Sequence, residues 1–311
     1  MSDKLQKFLF ENASVRGELV EISETWLQVQ ARHDYPKAVK ALLGEMLSAA
    51  ALLSANLKFN GAIILQIYGD GPVRLLVVEC DSTLRLRAVA KLAENAQIAD
   101  DATLRQLVHE HGNGRFVITL DPHEKLPGQQ PYQGVVPLDG DNIATVIENY
   151  MQRSEQLDTK IWLAANEQVS RGLLLQKLPG EGGVEGLGRD DGHELETWNH
   201  VVMLASTLKT EEMLETDIYT LIRRLFWEET IRAFDPLQPQ FHCNCSRDKV
   251  ANMLQMLGKD EIDAALAEQG TLTIHCDFCG QAYEFDAVDC AQLFAVDFPA
   301  ERSLPATNQL H

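Results

Sequence analysis

Through the first 180 residues apolar and polar positions mostly alternate with a period of two, broken by a few stretches of helical period. Such a pattern predicts a strand-rich domain carrying a small number of helices. VRGELVEI reads as a strand following a short N-terminal helix. After Tyr35-Pro36, with proline placed in a first helical turn, Val39, Leu42, Leu43, Met46, Leu47 and Ala50 recur at helical spacing. This helix is apolar around most of its circumference and rich in alanine, so it belongs in the middle of the domain, packed on a sheet. GAIILQIYGDGPVRLLVVEC gives two apolar runs about Gly69-Asp70-Gly71-Pro72, a β-hairpin, and STLRLRAVA continues the alternation. A phosphate loop at GDGP is disfavoured because no helix start follows it. GRFVITLD and YQGVVPL add strands, Asp141 is expected to cap a helix with Ile143, Val146, Ile147 and Tyr150 facing inward, and KIWLAANEQVSRGLLLQKLP gives a second hairpin.

The pattern then breaks. Residues 180–192, GEGGVEGLGRDDG, read as a flexible hinge, and their glycines do not fit a dinucleotide-binding GxGxxG. From Glu194 to Phe234 the chain is helical in pattern, with a stripe of Leu214, Ile218, Leu221, Ile222 and Leu225 opposite Glu211, Glu212, Glu215 and Asp217, and Asp235-Pro236 ends the run. A stripe of this kind suits an ordinary helical subdomain packed on its neighbour. It also suits an element whose apolar face is covered only while an adjacent module stays folded. The expected class is α+β: an α/β core over 1–179, a hinge and helical linker over 180–240, a small module over 241–298 and a tail over 299–311.

Composition narrows the function. With 311 residues there is material for two or three domains, and a net charge of −19 disfavours nucleic acid and anionic membranes as partners. Ala41 to Leu57, the most apolar run, is too short to span a bilayer, and the charged N-terminus does not resemble a signal peptide, so a cytoplasmic location is expected. His33, His109, His111, His123, His193 and His200 lie in polar segments away from any nucleophile signature, so no enzyme is expected.

Chemistry concentrates near the end. Cys243 and Cys245 form CxC, Cys276 and Cys279 form CxxC, and 30 residues separate the pairs. Two short chelating pairs brought together by an intervening module are the usual construction of a tetrahedral zinc site, with Zn–S bonds of about 2.3 Å. His242 and His275 precede the pairs and are alternative ligands; Cys290 reads as a packed residue, and so does Cys80. Between the pairs, Ser246 is placed to cap RDKVANMLQML, with Val250, Met253, Leu254 and Leu257 on one face and Gly258 closing it. KDEIDAALAEQ then ends at Gly270, and TLTIHC delivers the second pair as a strand with Gly280 turning after it. From Cys243 to Cys290 three basic residues face nine acidic ones, against a nucleic-acid ribbon. Redox chemistry is the other option, since zinc-held thiolate pairs are nucleophilic and close to disulfides on oxidation. A zinc-ribbon adaptor docking a fixed partner is the alternative, and a thiol oxidoreductase lacks its usual helix-start context.

CNCS and HCDFCG, together with FENASVRGELV, HDYPKAVKALLGEML, LKFNGAIILQIYGDGP, YQGVVPLDGD, YMQRSEQL, LKTEEML and the FDP before the cysteines, resemble in order the landmarks of the heat-shock protein 33 family of redox-regulated bacterial holdases. The resemblance covers nearly the whole chain. It implies one zinc held by Cys243, Cys245, Cys276 and Cys279 in the reduced, inactive protein. It further implies Cys243–Cys245 and Cys276–Cys279 disulfides on oxidation, zinc release, unfolding of the module, loosening of the linker, a homodimer, and ATP-independent binding of unfolded client proteins later passed to ATP-driven refolding chaperones. Met213, Leu214, Ile218, Leu221, Ile222, Leu225 and Phe226 are the candidate client surface.

Overall fold

The computed structural model describes residues 3–57, 60–124, 131–178 and 191–294. Its contacts fall into two compact units, Met1–Cys243 and Asn244–His311. The class is α+β, as the patterning predicts.

The first unit begins β1 (Lys4–Phe10), β2 (Val15–Ile22), α1 (Glu24–Gln30) and α2 (Lys37–Ser54). Then come β3 (Gly61–Tyr68), β4 (Val73–Asp81), β5 (Arg85–Leu92), α3 (Leu104–Val108), β6 (Arg115–Pro122) and β7 (Tyr132–Pro137). It continues with α4 (Ile143–Ser154), β8 (Thr159–Ala165), β9 (Ser170–Lys177), α5 (Asp191–Ala205), α6 (Thr210–Glu215), α7 (Ile218–Leu225), β10 (Ile231–Ala233) and β11 (Gln240–Phe241). The strands make two sheets, ordered β10-β1-β2-β9-β8 and β11-β5-β4-β3-β6-β7.

Helix α2 packs against strands of both sheets, which is why its pattern is apolar nearly all round. Close approach needs Gly44, where a Cβ would sit 2.5 Å from the Ala165 Cβ, and Ser170 Oγ donates to the Gly44 carbonyl at 2.6 Å. The other face of the five-stranded sheet carries a second core. There Phe8, Phe10, Val15, Leu19, Leu173 and Leu175 meet Trp198 and Val201 of α5, Met213 of α6, and Ile218, Leu221, Leu225 and Phe226 of and after α7. Central strands β2 and β9 are therefore buried on both faces.

Several expectations change. The N-terminal segment is strand β1, because Leu5 and the pair Phe8 and Phe10 serve cores on opposite faces of the sheet. Asn142, one residue after Asp141, caps α4 by accepting from the Thr145 amide at 2.9 Å. The Glu194–Phe234 run is not helical throughout: Ile231–Ala233 is β10, paired antiparallel with β1, and α6 and α7 are short. Of the 180–192 hinge, residues 180–190 lie outside the described residues, and Asp191 and Gly192 open α5. The 299–311 tail also lies outside them. The sequence reading missed α1, whose N-terminal amides are capped from a distance: Asp3 accepts from Ser23, Glu24 and Thr25 at 2.6, 2.8 and 2.9 Å.

The second unit holds α8 (Arg247–Leu257), α9 (Lys259–Gln269), β12 (Leu272–His275), β13 (Ala282–Phe285) and α10 (Ala287–Leu293), with β12 and β13 as an antiparallel hairpin. Ser246 caps α8, accepting from the Lys249 amide at 3.2 Å, and Gly258 and Gly270 end α8 and α9 with positive φ. Among its described residues only Leu254, Ile262, Leu272, Phe285 and Cys290 are buried. Of the predicted α8 face, Leu254 is buried and Val250 packs beside it, whereas Met253 and Leu257 are exposed.

Glu45, an acidic residue on α2, lines a cavity of about 320 Å³ with Asn142, Thr145, Trp162, Lys209 and Met213. Burial pushes its carboxyl up to about 7 from 4.5. The native state then holds this proton over a range where the unfolded chain has lost it, so stability falls as pH rises from about 4.5 to about 7. Glu45→Gln is expected to raise the melting temperature above pH 7 and to flatten its dependence over pH ~5–8, with little change at pH ~5. Parallel pH profiles for the two proteins would contradict this.

Candidate metal centre

The site is assembled from two local motifs. Cys243 follows β11, whose Phe241 is held by parallel pairing with Leu86 of β5 and by the Arg32 guanidinium 4.1 Å over its ring. The His242 amide donates to the Leu86 carbonyl at 2.9 Å, which fixes the chain one residue before the first thiol. In the second unit, Cys276 closes β12 and the knuckle to Cys279 is tied by the Cys276 amide to the Gln281 carbonyl at 2.9 Å and the Gly280 amide to the Cys276 carbonyl at 2.7 Å. Gly280 takes φ 73°, which a side chain would resist.

The four Sγ atoms of Cys243, Cys245, Cys276 and Cys279 lie within 4.8 Å of one another, all partly buried. A tetrahedral shell with bonds of about 2.3 Å puts its sulfurs about 3.8 Å apart, so the arrangement fits a four-thiolate metal site with little movement. His242 and His275 are exposed and outside the cluster, and buried Cys290 is outside it as well. All six cysteines are free thiols. Cys80 is fully buried on β4, where burial pushes its thiol up to about 12, and Cys290 is packed into the small core with its thiol raised, first by burial. Neither is poised as a nucleophile.

Two residues absent from the sequence reading touch the sulfurs. The Tyr283 hydroxyl of β13 lies 3.1 Å from Cys245 Sγ, and that hydrogen bond leads the causes that push its phenol up to about 12. Arg87 Nη1 of β5 lies 3.7 Å from Cys243 Sγ. Tyr283 was within reach of sequence reasoning, four residues past Cys279. Arg87 was not, being 156 positions from its thiol.

The candidate client residues are covered. Met213, Ile218, Leu221, Leu225 and Phe226 are buried in the second core, and Leu214 and Ile222 are partly buried against it. Phe226 meets Phe10 edge-on, with ring centroids 5.0 Å apart.

The model of the family described as Hsp33 protein matches residues 3–286. The chain belongs to the Hsp33 family. A relative from Methylobacillus flagellatus named 33 kDa chaperonin is 45% identical over 298 residues, 96% of each chain. Another of that name from Chromobacterium violaceum is 47% identical over 299 residues, again 96% of each. The crystal structure of the 33 kDa chaperonin (heat shock protein 33 homolog) of Thermotoga maritima shares the fold, with a TM-score of 0.75 at 21% identity, covering 93% of this chain and 97% of that one. Among the described residues no helix is long and apolar enough to cross a membrane.

Proposed function

We propose that this Hsp33-family chain is a redox-regulated, ATP-independent holdase chaperone whose four clustered thiolates hold one zinc ion while reduced. The observation that carries the reading is the convergence of Cys243, Cys245, Cys276 and Cys279, three of them in a unit whose described residues give a core of five buried side chains. Close relatives named chaperonins support the class. Bound there, zinc would keep the thiolates deprotonated and supply the cross-link that so small a core lacks.

In each pair one thiolate attacks a peroxide oxygen, giving a sulfenic acid that the partner sulfur then attacks. Each pair gives up two electrons, one S–S bond forms, and one peroxide is reduced to water. The products are Cys243–Cys245 and Cys276–Cys279 disulfides, which no longer offer a four-thiolate shell. Between α7 and Cys243 the chain is held in sheets by strands of only three and two residues, β10 and β11. Loss of order at the cysteines can therefore spread back along the chain to α7 and uncover its apolar face. Met213, Leu214, Ile218, Leu221, Ile222, Leu225 and Phe226 are then the surface for unfolded client proteins. On this reading residues 180–240 act as the linker, activated chains form homodimers, clients pass to ATP-driven refolding chaperones, and the protein works in the reducing cytoplasm.

Ile218→Ser with Leu225→Ser tests the surface. Two large apolar contacts at about 1.5–3 kcal/mol each predict at least a roughly tenfold weaker suppression of aggregation by the oxidised protein. Suppression equal to wild type would remove these residues from the surface.

A further inference from the structure

Arg87 lies against Cys243, the first of the four thiols, at a position that nothing in the cysteine motifs specifies. It lies opposite Glu79 in the β4–β5 register, and its side chain is 15% exposed. Glu79 Oε2 accepts from Arg87 Nε at 2.8 Å and lies 2.6 Å from Nη2, so one edge of the planar guanidinium is clamped. Nη1, on the other arm, is the atom 3.7 Å from Cys243 Sγ, within the range of an N–H donor to sulfur. The thiol is brought there by β11, through the Gln240 and His242 amides donating to the Leu84 and Leu86 carbonyls at 3.0 and 2.9 Å.

Resting on the zinc reading above, we infer that Arg87 is a positioning residue for the metal centre: clamped by Glu79, it donates a charge-assisted hydrogen bond to the Cys243 sulfur, strengthening metal retention and shielding that sulfur from electrophiles. The physical reason is charge. Four thiolates around Zn(II) carry a net −2, and the sequence from Cys243 to Cys290 has nine acidic residues against three basic, so the centre sits in a field that disfavours it. A fixed guanidinium supplies the missing positive charge. Its hydrogen bond also draws on the sulfur lone pair that would otherwise attack an oxidant or alkylating agent. The Glu79 clamp keeps the geometry fixed, as carboxylates do for other outer-sphere ligands.

The test uses the full reduced chain loaded with zinc, as wild type, Arg87→Gln, Arg87→Lys and Glu79→Gln. Zinc affinity is read by competition with a chromophoric chelator, and alkylation by iodoacetamide is followed cysteine by cysteine by mass spectrometry. Arg87→Gln is expected to weaken zinc binding by about 10–100-fold, the usual cost of losing an outer-sphere partner, and to speed alkylation of Cys243 more than that of Cys276 or Cys279. Arg87→Lys keeps the charge without the fork and falls between, and Glu79→Gln gives a smaller loss of the same kind. Buried Cys80 is the internal control, since a damaged sheet would expose it as well. Equal affinity and an unchanged Cys243 rate in a variant that still protects Cys80 would overturn the inference while leaving the zinc reading intact. Uniform acceleration at all four ligands and Cys80 would also overturn it, as the mark of a merely structural role, with Glu79→Gln and Arg87→Lys then repeating that pattern. A wild-type chain that binds no zinc would overturn both.

Discussion

Stripping zinc from the reduced protein, or replacing Cys245 and Cys279 with serine, is expected to unfold residues 244–294 and leave the first unit folded. Among its described residues the module buries Leu254, Ile262, Leu272, Phe285 and Cys290, and little else. A core of that size supplies no more than about 3–5 kcal/mol, whereas structural zinc sites contribute about 10–16 kcal/mol at neutral pH. Its surface ion pairs, Arg247 with Asp289 and Lys259 with Asp263, are exposed and add little. The first unit by contrast has two extended cores, on the two faces of its five-stranded sheet. Segment-resolved hydrogen exchange should show amides of α8, α9 and β12 losing all protection while those of α2, β2 and β9 keep theirs. Retained protection in α8 and α9 without metal would contradict the expectation.

Loss of Arg171 is the second large effect. Its guanidinium, 3% exposed on β9, forms an ion pair with Glu21 of β2 and donates to the Met213 carbonyl at 2.7 Å and to the Thr216 carbonyl. Those carbonyls lie at the end of α6, where the last turn has no intrahelical donors. Arg171→Met leaves Glu21 buried without its cation and the α6 end without its donor, a change worth about 3–5 kcal/mol. Replacing both members, Arg171→Met with Glu21→Met, removes the stranded charge and should recover much of that loss. On the holdase reading, the single variant should suppress aggregation while still reduced and zinc-bound. It should also be cleaved around residues 206–217 at least about tenfold faster, since each 1.4 kcal/mol is a factor of ten. Single and double variants behaving alike would show that the ion pair does not hold α6 and α7 in place.

What the sequence reveals follows from where each signal is stored. In the module the caps and turns were legible because their signals are local, Ser246 capping, Gly258 and Gly270 stopping and Gly280 turning, whereas β13 and α10 went unread. Helix α2 and the β3–β4 hairpin were legible for the same reason, their periodicity being strong and continuous. Features written in distant partners were not. Helix α1 depends on a carboxylate about twenty residues upstream. Ile231–Ala233 is a strand because it pairs with β1 across more than 220 positions, and KLQKFLF, which also pairs with β2, is a short apolar run with no period that decides between helix and strand. The spacing of the two pairs pointed to their convergence, and the four sulfurs do lie within 4.8 Å of one another, but the groups beside them, Arg87 above all, belong to strands whose own patterns give no hint of a metal.

On the holdase reading, oxidation of the four thiolates releases zinc and thereby creates chaperone activity. Following zinc release, free thiols and suppression of a denatured test protein's aggregation together, during peroxide treatment at elevated temperature, tests it most directly. About one zinc is expected to leave as four thiols disappear, with suppression rising in step and reductant with zinc reversing all three. Zinc that stays bound through oxidation, or leaves with no gain in suppression, would contradict it and make the four-cysteine unit a structural ribbon.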